Sequence, residues 1–119
     1  MEALNVLDAV RQGGGITVSL GGVLPTSGYI VAKSVQYEET MPVEEFTIED
    51  VEKYVAKYNW ALVGVNAYLG AWREEGLIFL DVVERFTNKA KAMRAGRERE
   101  QIAIYDVKND KVILTGGRG

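Results

Sequence analysis

Apolar positions along this chain come in short blocks separated by glycine, proline and acidic residues, and the spacing inside each block predicts its element. Leu4, Leu7 and Val10 recur at helical intervals, so Met1 to Gln12 reads as a short helix, ended by Gly13-Gly14-Gly15. Ile16 to Leu20 is rich in β-branched and apolar residues and runs into Gly21-Gly22, a strand followed by a turn. A second strand is predicted from Tyr29 to about Tyr37, with Tyr29, Val31, Val35 and Tyr37 on one face, and the two strands read as a hairpin over 16–37. Glu38 to Glu45 is acidic and contains Pro42, which predicts an exposed connector rather than a regular element.

The sharpest local signal follows. Thr47 stands as a helix N-cap, Asp50 occupies the capping-box position, and Phe46 and Val51 sit where a hydrophobic staple closes the first turn. The helix begins at Ile48, carries Ile48, Val51, Tyr54, Val55 and Tyr58 as one stripe, and stops near Asn59. Residues 60–66 read as a loop because Gly64 interrupts them. Two apolar runs, 67–73 and 77–84, flank Glu74-Glu75-Gly76 as a central hairpin. Leu77 to Leu80 does not alternate, which predicts that this strand is covered on both faces. A helix over 88–100 with Thr87 as its N-cap, weakened at Gly96, and a hairpin of 101–107 with 111–114 complete the order, before a frayed glycine-rich tail over 116–119. The strands come in pairs, so the chain reads as a single α+β domain over 1–119, with an antiparallel sheet of hairpins and helices packed on one face.

Composition narrows the chemistry. With 119 residues, 47% of them apolar, one core stabilised without disulfides is expected. Cysteine and histidine are both absent, which excludes thiol nucleophiles, imidazole general bases and Cys/His zinc sites. No pattern calls for a metal or cofactor, and the chain is expected to be non-enzymatic. No apolar run approaches the roughly 18 residues of a membrane span and no signal-peptide pattern opens the chain, so a cytoplasmic location is expected. The net charge of −3 is unevenly divided. Residues 1–60 hold four basic against nine acidic side chains, and residues 61–119 hold ten against eight.

Four groups of residues bear on function. The loop Gly21 to Gly28 presents backbone N–H groups and the Thr26 and Ser27 hydroxyls, which suit an anion, but lacks the ending of a phosphate loop and equally reads as a turn needing positive φ. The basic helix and its exit offer Arg94, Arg97, Arg99 and Gln101 for a nucleotide or other small anion, with Trp72 or Tyr105 stacking on a base; the same charges also read as a solvated helix face. Duplex DNA calls for a more basic domain. Asp81, Glu84 and Asp106 are carboxylates for acid/base or divalent-cation chemistry if they converge, and salt-bridged structural groups if they pair with Arg85 or Arg99. Finally, Tyr29, Tyr37, Trp60, Tyr68, Trp72 and Tyr105 suit a core or an interface, Trp72 and Tyr105 being the ones expected outside the core.

The segments Thr26-Ser27-Gly28-Tyr29, Tyr68-Leu69-Gly70-Ala71-Trp72, Leu80-Asp81-Val82-Val83-Glu84, Gly96 to Asp106 and Thr115-Gly116-Gly117 together resemble a family of small uncharacterised proteins of actinobacteria, their phages and mobile elements. The N-terminal helix and triple glycine fall outside that pattern. The resemblance implies a setting and no site residues: an accessory factor that binds a host or defence-system protein. On the residues themselves, Glu38, Glu39, Glu44, Glu45 and Glu49 offer an acidic contact surface for a basic partner, and open strand edges suit a homodimer.

Overall fold

A computed structural model describes residues 1–116; the expectation of a frayed tail over 117–119 lies outside the described residues. The elements are α1 (Ala3–Gln12), β1 (Gly15–Val18), β2 (Tyr29–Ala32), β3 (Glu39–Pro42), α2 (Ile48–Lys57), α3 (Asn59–Leu62), β4 (Ala67–Glu74), β5 (Leu77–Phe86), α4 (Lys89–Glu98), β6 (Ala103–Asp106) and β7 (Lys111–Leu114), with single 3-10 turns at Val35–Tyr37 and Val43–Glu45. One antiparallel seven-stranded sheet runs in the order β1-β4-β5-β2-β6-β7. The organising strand is the ten-residue β5. Along one edge it pairs with the whole of β4; along the other, its first four residues pair with β3 and its last four with β2. The fold is the expected α+β domain with its helices on one face of the sheet.

Strand alternation decides which side chains meet the helices. Ile16 and Val18 of β1, Leu69 and Ala71 of β4, and Ile78, Leu80 and Val82 of β5 lie on the face covered by α1 and α2, where Val6, Val10, Phe46, Val51 and Tyr54 fill the main core. Farther along the same face, α4 lays Ala92 and Ala95 on Val31 and Ile104. The α2 start is the one its sequence predicts. The Asp50 carboxylate accepts from the Thr47 N–H at 2.9 Å and from the Thr47 hydroxyl at 3.1 Å, while Phe46 and Val51, the staple pair, are both fully buried.

Several expectations are corrected. The segments before and after the 21–28 loop do not form a hairpin: β1 pairs with β4, and β2 with β5 and β6, because each finds a longer strand to join than the other. The second strand stops at Ala32, and Val35 to Tyr37 is a 3-10 turn capped by Ser34. The acidic connector is partly regular, since Glu39–Pro42 pairs with Leu77–Leu80; Pro42, which lacks an N–H, ends that strand. Residues 59–62 form a short helix that packs Ala61 and Leu62 into the core. The N-cap of α4 is Asn88, one residue beyond Thr87, and its side chain accepts from the Lys91 N–H at 3.0 Å. The expectation that Leu77–Leu80 is covered on both faces also fails: among the described residues no helix covers the second face, and Phe79 is only half-buried there.

Candidate functional site

Among the described residues, no helix covers that second face. Alternation and register assemble it in cross-strand rows. Trp72 of β4 lies beside Phe79 of β5, Tyr68 beside Val83, and Arg85 of β5 lines up with Ile30, Tyr105 and Val112 across β2, β6 and β7. The Trp72 and Phe79 rings stack with centroids 5.3 Å apart and planes 7° from parallel. Both remain half-buried, while Val112 and Leu114 at the β7 edge are 64% and 74% exposed. Tyr105 donates its hydroxyl proton to the Asp110 carboxylate, and that hydrogen bond pushes the phenol up to about 12, so Tyr105 offers a neutral ring in the physiological range.

The centre of this face holds a buried carboxyl. Asp81 stands where β3 ends its pairing with β5 and β2 has not begun, opposite the looped-out 33–38 segment. At that gap the Val82 N–H has no strand partner and donates instead to Asp81 Oδ1 at 2.8 Å. The β4 residue opposite is Gly70; a Cβ there would lie 3.1 Å from Val83 Cγ1 and 3.8 Å from Trp72 Cζ3, so both neighbours have closed over the space a side chain would fill. Asp81 is therefore 2% exposed, and burial pushes its carboxyl up to about 7 despite the Val82 hydrogen bond. A group so enclosed is out of reach of a substrate.

The three carboxylates do not converge. Asp81 lies in a row with Gly70 and Thr17, whereas Glu84 and Asp106 alternate onto the helix-covered face. Glu84 is held by Arg99 at 2.6 Å, the structural pairing anticipated for it, and Asp106 accepts two hydrogen bonds from Asn109. No group of acidic side chains suited to a metal ion is found among the described residues.

The sheet also divides the residues considered for a stacked nucleotide. Trp72 and Tyr105 are on the bare face, but α4 and its arginines are on the other. Arg97 Nε donates to the Thr115 carbonyl at 2.7 Å, Arg99 is engaged with Glu84 and lies over the Phe86 ring, and the Gln101 amide donates to the Arg99 carbonyl. Arg94 is exposed on α4. Of the other aromatics, Tyr37 is buried as expected of a core residue, whereas Trp60 is 65% exposed and only leans on the Tyr37 ring.

The acidic residues gather at one end of the bare face. Val43 donates to the Gly76 carbonyl at 3.0 Å, tying the 43–45 turn to the β4–β5 turn, so exposed Glu44 and Glu45 come near exposed Glu74 and Glu75. Glu38 and Glu49 are exposed nearby along the chain, and Glu39 is bound to Lys57 at 3.0 Å. Sequence reasoning did not single out Phe79, Val112 or Leu114 for this surface. The available signal was the pattern Tyr68-x-Gly70-x-Trp72 against Leu69-x-Ala71, an aromatic face opposed to an aliphatic one. No helix among the described residues is long and apolar enough to cross a membrane. Comparison with protein-family models, curated proteins and solved structures finds no match to this chain.

Proposed function

We propose that this protein is a non-enzymatic binding protein that seats a protein partner on the bare face of its sheet. The observation that carries the reading is the stacked pair Trp72 and Phe79, with Tyr105 farther along the same face of the sheet, on a face that no helix among the described residues covers, with carboxylates gathered at one end. Rigid aromatic rings contribute large contact area at small entropic cost, which is why they dominate interface energetics. Six strand positions span about 24 Å at the usual strand spacing, a width suited to the roughly 800 Å² that each partner contributes to a stable interface. The matching partner carries an apolar patch bordered at one end by lysine or arginine, opposite Glu44, Glu45, Glu74 and Glu75. The family resemblance supplies the biological setting of this proposal, an accessory factor of a phage or mobile element that occludes a host or defence-system protein.

The test places a photo-crosslinking residue at Val112 on the bare face, or at Arg94 on α4 as a control, and exposes each protein to lysate of the organism that encodes it. The reading expects one discrete protein adduct from position 112, none from 94, and loss of that adduct when Glu44→Lys and Glu45→Lys are combined. Adducts of equal yield from both positions, or an adduct of two copies of this chain alone, overturn it.

A further inference from the structure

We propose that a cavity at the Arg85 end of the sheet binds a phosphate group, either free or as the terminus of a small phosphomonoester. The cavity has a volume of about 230 Å³ and is formed where the start of β2, the end of β5 and the β6–β7 turn come together, with Ser27, Arg85, Thr87, Lys108 and Asn109 in its lining. None of the arginines considered for anion binding from sequence contributes to it.

Its construction begins with the 26–28 turn. Gly28 has a φ of +93°, and a Cβ there would lie 2.7 Å from Arg85 Nε and 2.9 Å from the Phe86 carbonyl, so only glycine lets the turn approach β5 this closely. The approach orients the arginine. Arg85 Nε donates to the Ser27 carbonyl at 2.7 Å and Nη2 to Ser27 Oγ at 3.1 Å, which fixes the guanidinium plane and leaves Nη1 without a protein partner among the described residues. Because Ser27 Oγ accepts from Arg85, its own proton is left to donate. Thr87 adds a hydroxyl, exposed Lys108 adds an ammonium group, and Thr87 directly precedes Asn88, the cap of α4, which brings the positive end of that ten-residue helix to the rim.

The lining is thus rich in donors and short of acceptors. Its one carboxylate, Asp106, is already occupied: Oδ2 accepts the Asn109 side-chain amide at 2.8 Å and Oδ1 accepts the Asn109 N–H at 3.3 Å. Those hydrogen bonds, with Lys89 and Lys111 nearby, hold Asp106 below the ordinary carboxylate range. Asp106 stays ionised, but Arg85 and Lys108 outnumber it in the lining, so the cavity is net positive and disfavours a cation. An oxyanion with several acceptor atoms instead finds a fixed guanidinium, two hydroxyls and an ammonium group, the donor set that suits phosphate. The volume lies below the roughly 300 Å³ at which drug-sized pockets begin, so the cavity takes the phosphate end of a ligand and leaves any remainder in solvent.

The test is a backbone-amide NMR titration of the full chain at low ionic strength with inorganic phosphate, repeated with glycerol phosphate and with chloride at matched ionic strength. Phosphate is expected to shift Gly28, Tyr29, Thr87 and Asn109 with roughly millimolar affinity, and Lys108→Glu, a surface change that leaves the fold in place, to weaken binding about tenfold. Arg94→Glu, on α4 outside the cavity, is expected to leave the affinity unchanged. Tighter binding of phosphate identifies the free ion as the ligand, and tighter binding of glycerol phosphate identifies a phosphomonoester. Equal shifts with chloride, or equal affinity in Lys108→Glu, overturn the proposal.

Discussion

The two faces of one sheet, built from alternate residues of the same strands, have opposite fates in this protein. On the covered face, β4 and β5 present Leu69, Ala71, Ile78, Leu80 and Val82, each at most 1% exposed beneath α1 and α2. On the other, the same two strands present Tyr68, Trp72 and Phe79, half-buried and with no helix among the described residues above them. Aliphatic side chains close-pack against a helix and hold the fold together; flat aromatic rings shield one another laterally while keeping their surfaces available. On the proposed reading, stability and recognition are thereby separated onto opposite sides of a single layer, and substitutions on the two sides are expected to differ in kind.

The largest expected effect is on the covered side. Phe46 is fully buried, so Phe46→Ala is expected to cost about 3–5 kcal/mol in chemical denaturation. A loss no greater than that of a bare-face substitution breaks the division.

Next comes Asp81, the buried carboxyl on the bare side. Its folded value near 7 stands above the ordinary 3.8, so between those values the folded chain holds a proton that the unfolded chain has released. Stability therefore falls as pH rises through that window and stays at the lower level above it. Asp81→Asn keeps an acceptor for the Val82 N–H and removes the buried charge, so it is expected to stabilise the protein at about pH 8, by on the order of 4 kcal/mol, with little gain at about pH 4. Thermal melts across that range check it; a gain independent of pH rejects the assignment.

A smaller effect is expected at Gly96. A Cβ there would meet Thr115 Cγ2 at 2.8 Å and Ile104 Cγ2 at 3.2 Å, and Thr115 cannot readily yield because its hydroxyl donates to the Gln101 carbonyl at 2.6 Å. Gly96→Ala is expected to cost about 1–2 kcal/mol net, overpacking outweighing the gain in helix propensity. A stabilised variant in urea titration shows that the α4 contact yields.

A smaller effect than at Phe46 is expected at Trp72. Its stacking on Phe79 contributes about 1 kcal/mol beyond the area the ring buries, so Trp72→Ala is expected to cost less stability than Phe46→Ala and to lower partner binding more than stability, as read by melts and by crosslinking from position 112. A loss of folding comparable to Phe46→Ala erases the distinction between the faces.

How far the sequence was legible depends on the range of the interactions involved. The α2 start could be read because Thr47, Asp50, Phe46 and Val51 are close neighbours whose capping and staple contacts need little else. The β4–β5 and β6–β7 hairpins were legible for the same reason, with Glu75 and Gly76 both at positive φ in the first turn. The pairing of β1 was not, because its partner lies over fifty residues away and nothing local distinguishes β4 from β2 as its neighbour. The cavity was legible only in part: the loop ending in Ser27 and Gly28 was raised for an anion from sequence, but its partners Arg85 and Lys108 come from two distant segments.

Gly96 shows the same division within one residue: as sequence it is a weak point in a helix, and in the fold it packs tightly against Ile104 of β6 and against Thr115. By itself the sequence determined the three longer helices, the β4–β5 and β6–β7 hairpins, the absence of cysteine and histidine chemistry and the α+β class, since these rest on composition and on contacts between near neighbours. Tertiary structure alone decided the strand order, which face stays bare, the burial of Asp81 and the company of Arg85, since each depends on strands distant in the chain meeting in one register.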